Sequence, residues 1–166
     1  NHEELKTGER GLILVNGPNV FAQYMGVDKD PFVELENERW YDTGDLGYLN
    51  EDGFLFLAGR LKRFVKIAGE MISLPAIESA LTERWPADES GAVLAVEAVE
   101  REEQRPELYL LSSVKMNLEE ANEVLKDAGF SNLSKLKKLI ELEEMPLLGT
   151  GKTDYQTIKQ IVQDQG

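Results

Sequence analysis

No stretch of this chain stays apolar for more than about five residues, as in Ala92–Val96. A helix crossing a bilayer needs ~18 or more. The fold must therefore be assembled from short strands and amphipathic helices, with no bilayer span. At ~100–200 residues per domain, its 166 residues allow one domain, or one small domain plus a fragment. Asp and Glu number 31 against 18 Lys and Arg, a net charge of −13. That balance argues against nucleic acid as partner, because phosphate-backbone binding needs clustered cations. There is no cysteine, which excludes disulfides, thiol chemistry and cysteine metal sites. The single histidine is His2, so a Ser-His-Asp triad or a histidine-rich metal site is excluded as well. The opening Asn1–Glu4 lacks the basic-then-apolar layout of a signal peptide.

The first sixty residues or so read as strands and turns. Gly11–Gly17 is an apolar run bounded by glycines, which predicts a buried strand. Residues 27–39 mix charges with Pro31 and read as a surface loop. Tyr48–Asn50 and Phe54–Leu57 flank Glu51-Asp52-Gly53, a hairpin signal. The second half alternates. Pro75–Trp85 predicts a helix with Ser73 as N-cap, ended by Pro86. Gly91–Val96 and Leu108–Val114 read as strands joined by an exposed hairpin loop, Glu97–Glu107. Leu118–Ala128 predicts a helix stopped by Gly129, with Leu118, Ala121, Val124 and Leu125 inward. Leu139–Leu142 reads as a strand, and Thr153–Gln163 as a last helix burying Ile158, Ile161 and Val162. The predicted class is α+β: a β-rich segment over 1–61, then a small domain over 62–166 with short sheets and about three helices.

Three segments carry chemistry. Pro146–Thr153 lies between a strand and a helix, and its Gly149-Thr-Gly-Lys-Thr tail imitates a phosphate loop. The Walker pattern needs a glycine where this chain has Pro146, and only 13 residues follow Thr153, too few for that fold. Two readings remain: a flexible glycine turn capping the last helix, or a mobile loop presenting Lys152 at a helix N-terminus that would itself favour an anion. Tyr41–Leu46 contains Thr43-Gly44-Asp45, which is either a common turn composition or an aspartate placed to accept hydrogen bonds from a diol such as ribose. Gly59–Glu70 sets four cations, Arg60, Lys62, Arg63 and Lys66, within seven residues. That segment is either a solvated strand edge or a local anion site in which Gly69 lets backbone approach a ligand.

Taken in order, these segments resemble the adenylate-forming superfamily of acyl-CoA and acyl-carrier-protein synthetases, luciferases and peptide-synthetase adenylation domains. Gly8–Val20 is similar to its strand-and-turn motif late in the large domain, and Tyr41–Leu46 to its Tyr-x-Thr-Gly-Asp-Leu motif. Gly59–Gly69 with Pro75–Glu78 resembles its hinge motif, and Pro146–Lys152 its last motif. Arg63 stands where many members have aspartate, and Leu147-Leu148 where many have Lys/Arg-Thr. The wording of Lys66–Pro75 and Pro146–Lys152 looks most like the acyl-acyl-carrier-protein synthetase half of bacterial 2-acylglycerophosphoethanolamine acyltransferases.

The resemblance implies that residues 1–61 end a large domain and that 62–166 form its small lid domain. It implies an AMP-forming acid–thiol ligase: a carboxylate, here a long-chain fatty acid, takes AMP from ATP, and a phosphopantetheine thiol of acyl carrier protein or CoA then takes the acyl group. By the same resemblance Lys152 acts in the first step, Asp45 and Arg60 hold the ATP ribose, and Lys62 is the hinge. Gly69 and Lys66 serve the pantetheine side. Mg2+ accompanies ATP, with ligands expected outside this chain and none assigned within it. The phosphate loop and acyl pocket of the family are expected upstream, so the missing N-terminal part is the first partner and the chain alone is expected to be inactive. The expected location is cytoplasmic, with the parent associated with the inner membrane. An acidic carrier protein would need a local cationic patch on this acidic chain, for which Lys62, Arg63 and Lys66 or the run Lys135–Lys138 are candidates; that run reads equally as a solvated face. Two alternatives stay open: an ordinary fatty acyl-CoA ligase, or a non-catalytic interaction module reusing the lid fold.

Overall fold

The computed structural model describes residues 3–25, 30–101 and 104–165. His2, residues 27–29 of the expected surface loop and residues 102–103 of the expected hairpin loop lie outside the described residues. The chain divides into two compact units, Asn1–Arg63 and Phe64–Gly166. No helix among the described residues is long and apolar enough to cross a membrane.

The first unit is a four-stranded antiparallel sheet organised by one long strand. Its strands are β1 (Gly11–Val15), β2 (Phe32–Leu35), β3 (Glu38–Leu49) and β4 (Leu55–Arg60). β3 pairs with all three others. The Asp52-Gly53 hairpin forms between β3 and β4 as the sequence predicts: Gly53 has φ +79°, and Asn50 Oδ1 accepts from the Phe54 amide at 2.8 Å. The expected surface loop over 27–39 is corrected. Phe32, Val33 and Leu35 form β2 and turn into β3 through Glu36 and Asn37, at φ +52° and +65°. Two successive positive φ values give a turn whose twist matches a hairpin. Neither residue is glycine, so the usual sign of such a turn is absent.

Every buried apolar side chain among the described residues lies at Val65 or later, in the second unit. The first unit instead keeps a partly exposed aromatic group, in which Phe21 lies 5.0 Å from the Tyr41 ring and Phe32 5.7 Å from it. Its hairpin leaves Phe54 66% and Leu57 71% exposed.

The second unit holds the core. Its β5 (Phe64–Ile67) and β6 (Glu70–Ser73) form a hairpin leading directly into α1 (Leu74–Arg84). Ser73 caps α1 as expected, its hydroxyl accepting from the Ala76 amide at 3.3 Å. The strands β7 (Leu94–Val99), β8 (Glu107–Ser112) and β9 (Leu136–Glu141) form a sheet in that order. β7 and β8 are antiparallel; β8 and β9 are parallel, joined through α2 (Leu118–Asp127). Asn117 caps α2 through its side-chain oxygen, and Gly129 follows the helix at φ +85°. The last helix is α3 (Tyr155–Gln165).

Alternation along these strands builds two apolar layers. Leu94, Val96, Leu108 and Leu110 join Ile77 and Leu81 of α1 and Ala121 and Leu125 of α2. Ala95, Val99, Tyr109 and Leu111 join Ile158 and Val162 of α3. The register of β9 slips between Leu108 and Tyr109, so Leu136 and Leu139 face the first layer and Ile140 the second. One extra residue reverses which side chains face which layer.

Two strand limits are corrected. β7 begins at Leu94 because Gly91, at φ +123°, closes a turn with Asp88, and it runs on to Val99. The hairpin loop is shorter accordingly. β9 starts at Leu136, so Lys137 and Lys138 are strand residues.

Gly47 shows how closely the first sheet is packed. A Cβ there would lie 2.6 Å from the Phe56 carbonyl oxygen and 2.8 Å from Ile13 Cδ1. Gly47→Ala should therefore destabilise that sheet by ~1–3 kcal/mol. Hydrogen exchange should show faster exchange in β3 and β4 with β7 and β8 unchanged; unaltered protection at Leu57 would contradict the clash.

Candidate functional site

In the first unit, Thr43-Gly44-Asp45 is part of β3 and not a free turn. Gly44 takes φ +69°, and its amide donates to Asp42 Oδ1 at 2.8 Å. The Thr43 hydroxyl donates to the Ile13 carbonyl at 2.9 Å and accepts from the Asp45 amide at 3.0 Å. Asp45 pairs in register with Arg60 of β4. The Arg60 Nε lies 2.9 Å from Asp45 Oδ1, and its Nη1 donates to the Thr43 carbonyl at 3.1 Å. The two residues that sequence reading assigned to one ligand are thus side by side. An ion pair this exposed adds little stability. Its effect is orientation: Arg60 occupies Oδ1, and Oδ2 takes no hydrogen bond from the described residues. Tyr41, read from sequence only as a motif letter, shares a hydrogen bond with the Tyr24 hydroxyl at 2.9 Å. That bond, with burial second, raises the pKa of its phenol.

Lys62 is exposed in a short 3-10 turn, Leu61–Arg63, that ends where the first unit ends. Arg63 is buried, so of the three cations proposed here as a docking patch, Lys62 and Lys66 are the exposed ones.

In the second unit, Lys66 is the outward residue of β5 between buried Val65 and Ile67. Ala68 and Gly69, at φ +50° and +93°, form the two-residue turn of the β5–β6 hairpin. A Cβ on Gly69 would meet nothing within 4 Å. Within the chain itself, glycine is favoured there by backbone conformation rather than by lack of room.

The Lys152 segment departs from expectation. It is a hydrogen-bonded stub rather than an open loop. Leu147 and Thr153 form an antiparallel bridge, and the Leu148 amide donates to the Lys152 carbonyl at 2.7 Å. The Gly151 amide donates to the Leu148 carbonyl at 2.8 Å, with Gly151 at φ +79°. The N-terminus of α3 is also not open to an outside anion. Asp154 accepts there from the amides of Gln156 at 3.0 Å and Thr157 at 3.3 Å, and from the Thr157 hydroxyl at 2.8 Å. The exposed Lys152 ammonium, which takes no partner among the described residues, is what remains for an anion.

The run Lys135–Lys138 is split by its strand. Lys135 and Lys137 are exposed, whereas Lys138 donates to the Gln165 carbonyl at 2.6 Å and lies over the Tyr109 ring. Among the described residues no group of three or more carboxylates or histidines could hold a metal ion. Sequence reading missed two residues near the stub. Asp154 carried a local signal, an aspartate just before an apolar-periodic run. Tyr155 carried none: its hydroxyl donates to Glu78, 77 positions away.

Hydrogen bonds from the Thr157 hydroxyl and amide, then from the Gln156 amide, hold the Asp154 carboxyl below the usual aspartate range. Its contribution to α3 is fully present above the ordinary pKa of ~3.9 and is lost as pH falls through the lowered value. Amide chemical shifts of Gln156 and Thr157 should move together over that acidic window. Asp154→Asn should abolish the movement; a persisting titration in that variant would refute the assignment.

No protein-family model matches the chain. It is similar to the 4-coumarate–CoA ligase-like protein 6 of Arabidopsis thaliana, at 28% identity over 95% of this chain and 28% of that protein. It is likewise similar to the 2-succinylbenzoate–CoA ligase of Bacillus cereus strain Q1, at 30% identity over 93% of this chain and 31% of that protein. Among solved structures, ATP-bound MatB from Rhodopseudomonas palustris matches with a TM-score of 0.75 at 24% identity, over 96% of this chain and 32% of that one. The o-succinylbenzoate CoA synthetase MenE from Bacillus subtilis, in complex with its acyl-adenylate, matches with a TM-score of 0.70 at 26% identity, over 93% of this chain and 31% of that one. The chain spans less than a third of the length of each of these proteins. Its relatives and structural neighbours are adenylate-forming ligases, and its α+β fold is that of their C-terminal domain.

Proposed function

We propose that this chain is the C-terminal part of an ATP-dependent, AMP-forming acid–thiol ligase, in which residues 1–61 end the large domain and 62–166 form the lid. The observation that carries this reading is the Asp45–Arg60 pair. Two residues from separate motifs stand in register at 2.9 Å and leave one carboxylate oxygen for a diol.

In the first step a carboxylate oxygen attacks the α-phosphorus of ATP, and pyrophosphate leaves. Asp45 Oδ2 accepts from the ribose hydroxyls while Arg60 keeps the carboxylate turned toward them. Lys152 sets its positive charge where the incoming carboxylate meets the phosphate. Its charge counts most there, because a preorganised cation stabilises charge that concentrates in the transition state. In the second step a thiolate attacks the acyl carbonyl, and AMP leaves. Torsion at Lys62, beside the boundary at Arg63, would exchange the faces presented by the second unit. Gly69 and Lys66, at the tip and on the outer face of one hairpin, would then line the path of the pantetheine thiol. Mg2+ would accompany ATP, with its ligands expected outside this chain.

The proposed substrate is a long-chain fatty acid and the proposed acceptor is acyl carrier protein, in a cytoplasmic enzyme feeding lysophospholipid acylation. The wording of Lys66–Pro75 and Pro146–Lys152 supports this. Free CoA is the second reading, favoured because the similar ligases are named for CoA. Thioester formation assayed with each acceptor separates the two.

Lys152→Ala in the longer ligase should slow adenylate formation by ~10²–10³, about 3–4 kcal/mol. Thioester formation from supplied acyl-AMP should persist. Lys159→Ala, on the exposed side of α3, should be nearly silent. Adenylate formation within a few-fold of the parent would reduce Pro146–Lys152 to a plain turn.

A further inference from the structure

The stub that carries Lys152 is fastened at its far end by a residue from another part of the chain. Glu78 lies on α1, between the turns that bury Ile77 and Leu81. Its Oε1 accepts from the Val96 amide of β7 at 2.8 Å. Its Oε2 accepts from the hydroxyl of Tyr155, the first residue of α3, at 3.0 Å. β7 is an edge strand of its sheet, with α1 packed in one apolar layer and α3 in the other. The carboxylate therefore spans the sheet edge and joins elements from opposite faces.

We propose that Glu78 and Tyr155 are positioning residues for Lys152: the carboxylate bridge at the β7 edge fixes where α3 begins, and with it the stub that carries Lys152 three residues earlier. This rests on the reading of Lys152 given above. The stub's own bonds, Leu148 amide to Lys152 carbonyl and Asp154 amide to Pro146 carbonyl, give it shape but do not place it. Its middle lies against the Gly91 turn, where a Cβ on Gly91 would stand 3.7 Å from the Gly151 carbonyl oxygen, and its two ends are fastened to the core. One is Met145, buried in the α3 layer. The other is Tyr155, whose ring packs on that layer while its hydroxyl reaches Glu78.

Tyr155→Phe removes the hydroxyl and keeps the ring. Hydrogen exchange on this chain should then quicken about tenfold at Leu148 and Asp154, the effect expected for one hydrogen bond to a charged group. Leu110 and Leu111 in β8 should change less than about twofold, because the sheet retains its packing. Glu78→Met should reproduce the local effect. Glu78→Gln should restore it, since its amide can accept from Val96 and donate to the phenol oxygen. In the longer ligase, Tyr155→Phe should slow adenylate formation yet add nothing to Lys152→Ala, and should leave thioester formation from acyl-AMP unchanged. Exchange that rises uniformly, or not at all, would overturn the proposal, as would a full additional loss on top of Lys152→Ala. Exchange is read without catalysis, so a silent Lys152→Ala would refute the function of the lysine and leave the bridge standing.

Discussion

Burial of one three-stranded sheet on both faces is the constraint on which the second unit depends. A sheet covered on both sides cannot alternate apolar and polar residues, so β8 must be apolar at successive positions. Leu108, Tyr109, Leu110 and Leu111 are all buried, and successive residues serve opposite layers. The helices take their places from this demand: α1 and α2 complete one layer and α3 the other. The extra residue in β9 follows from it too. The slip in register lets Leu136 and Ile140 face opposite layers and leaves Lys137 outward. Charged residues that read as a basic run in sequence are thereby dispersed in space.

The first unit works by other means. With no fully buried apolar side chain among its described residues, its geometry comes from strand pairing and side-chain-to-backbone hydrogen bonds. Hydrogen bonds of this kind contribute only ~0.5–1.5 kcal/mol each. They nevertheless fix the direction of the Asp45 side chain. Thr43 ties the segment to β1, Gly44 supplies the left-handed step, and Arg60 holds the carboxylate from the neighbouring strand. A local frame of weak bonds is sufficient for the ribose-accepting role proposed for Asp45.

Much of this was legible in the sequence, and the misses have physical causes. The caps and stops at Ser73, Pro86 and Gly129 are local, so α1 and α2 were readable nearly to the residue. The hairpin at Asp52-Gly53 was readable because glycine marks a positive φ. The turn at Glu36-Asn37 has the same need without the glycine, and β2 was therefore missed. Gly149 and Gly151 suggested mobility, but the main chain spends their freedom on a closed stub. The pairing of Asp45 with Arg60 joins two motifs that sequence had already singled out. The bridge from Glu78 to Tyr155 links positions 77 apart, and no local period or cap records such a contact.

In the proposed ligase one small domain would serve two chemical steps by turning about Lys62, presenting Lys152 for the first and the Gly69 hairpin for the second. Lys62→Pro in the longer ligase tests it most directly, because proline holds φ near −65° and removes the torsional freedom that such turning needs. The two half-reactions should be measured separately, as ATP–pyrophosphate exchange and as thioester formation from supplied acyl-AMP. One should fall about tenfold or more below the other, as expected when a gating motion and not the chemistry is blocked. Equal loss in both, or no loss in either, would contradict it.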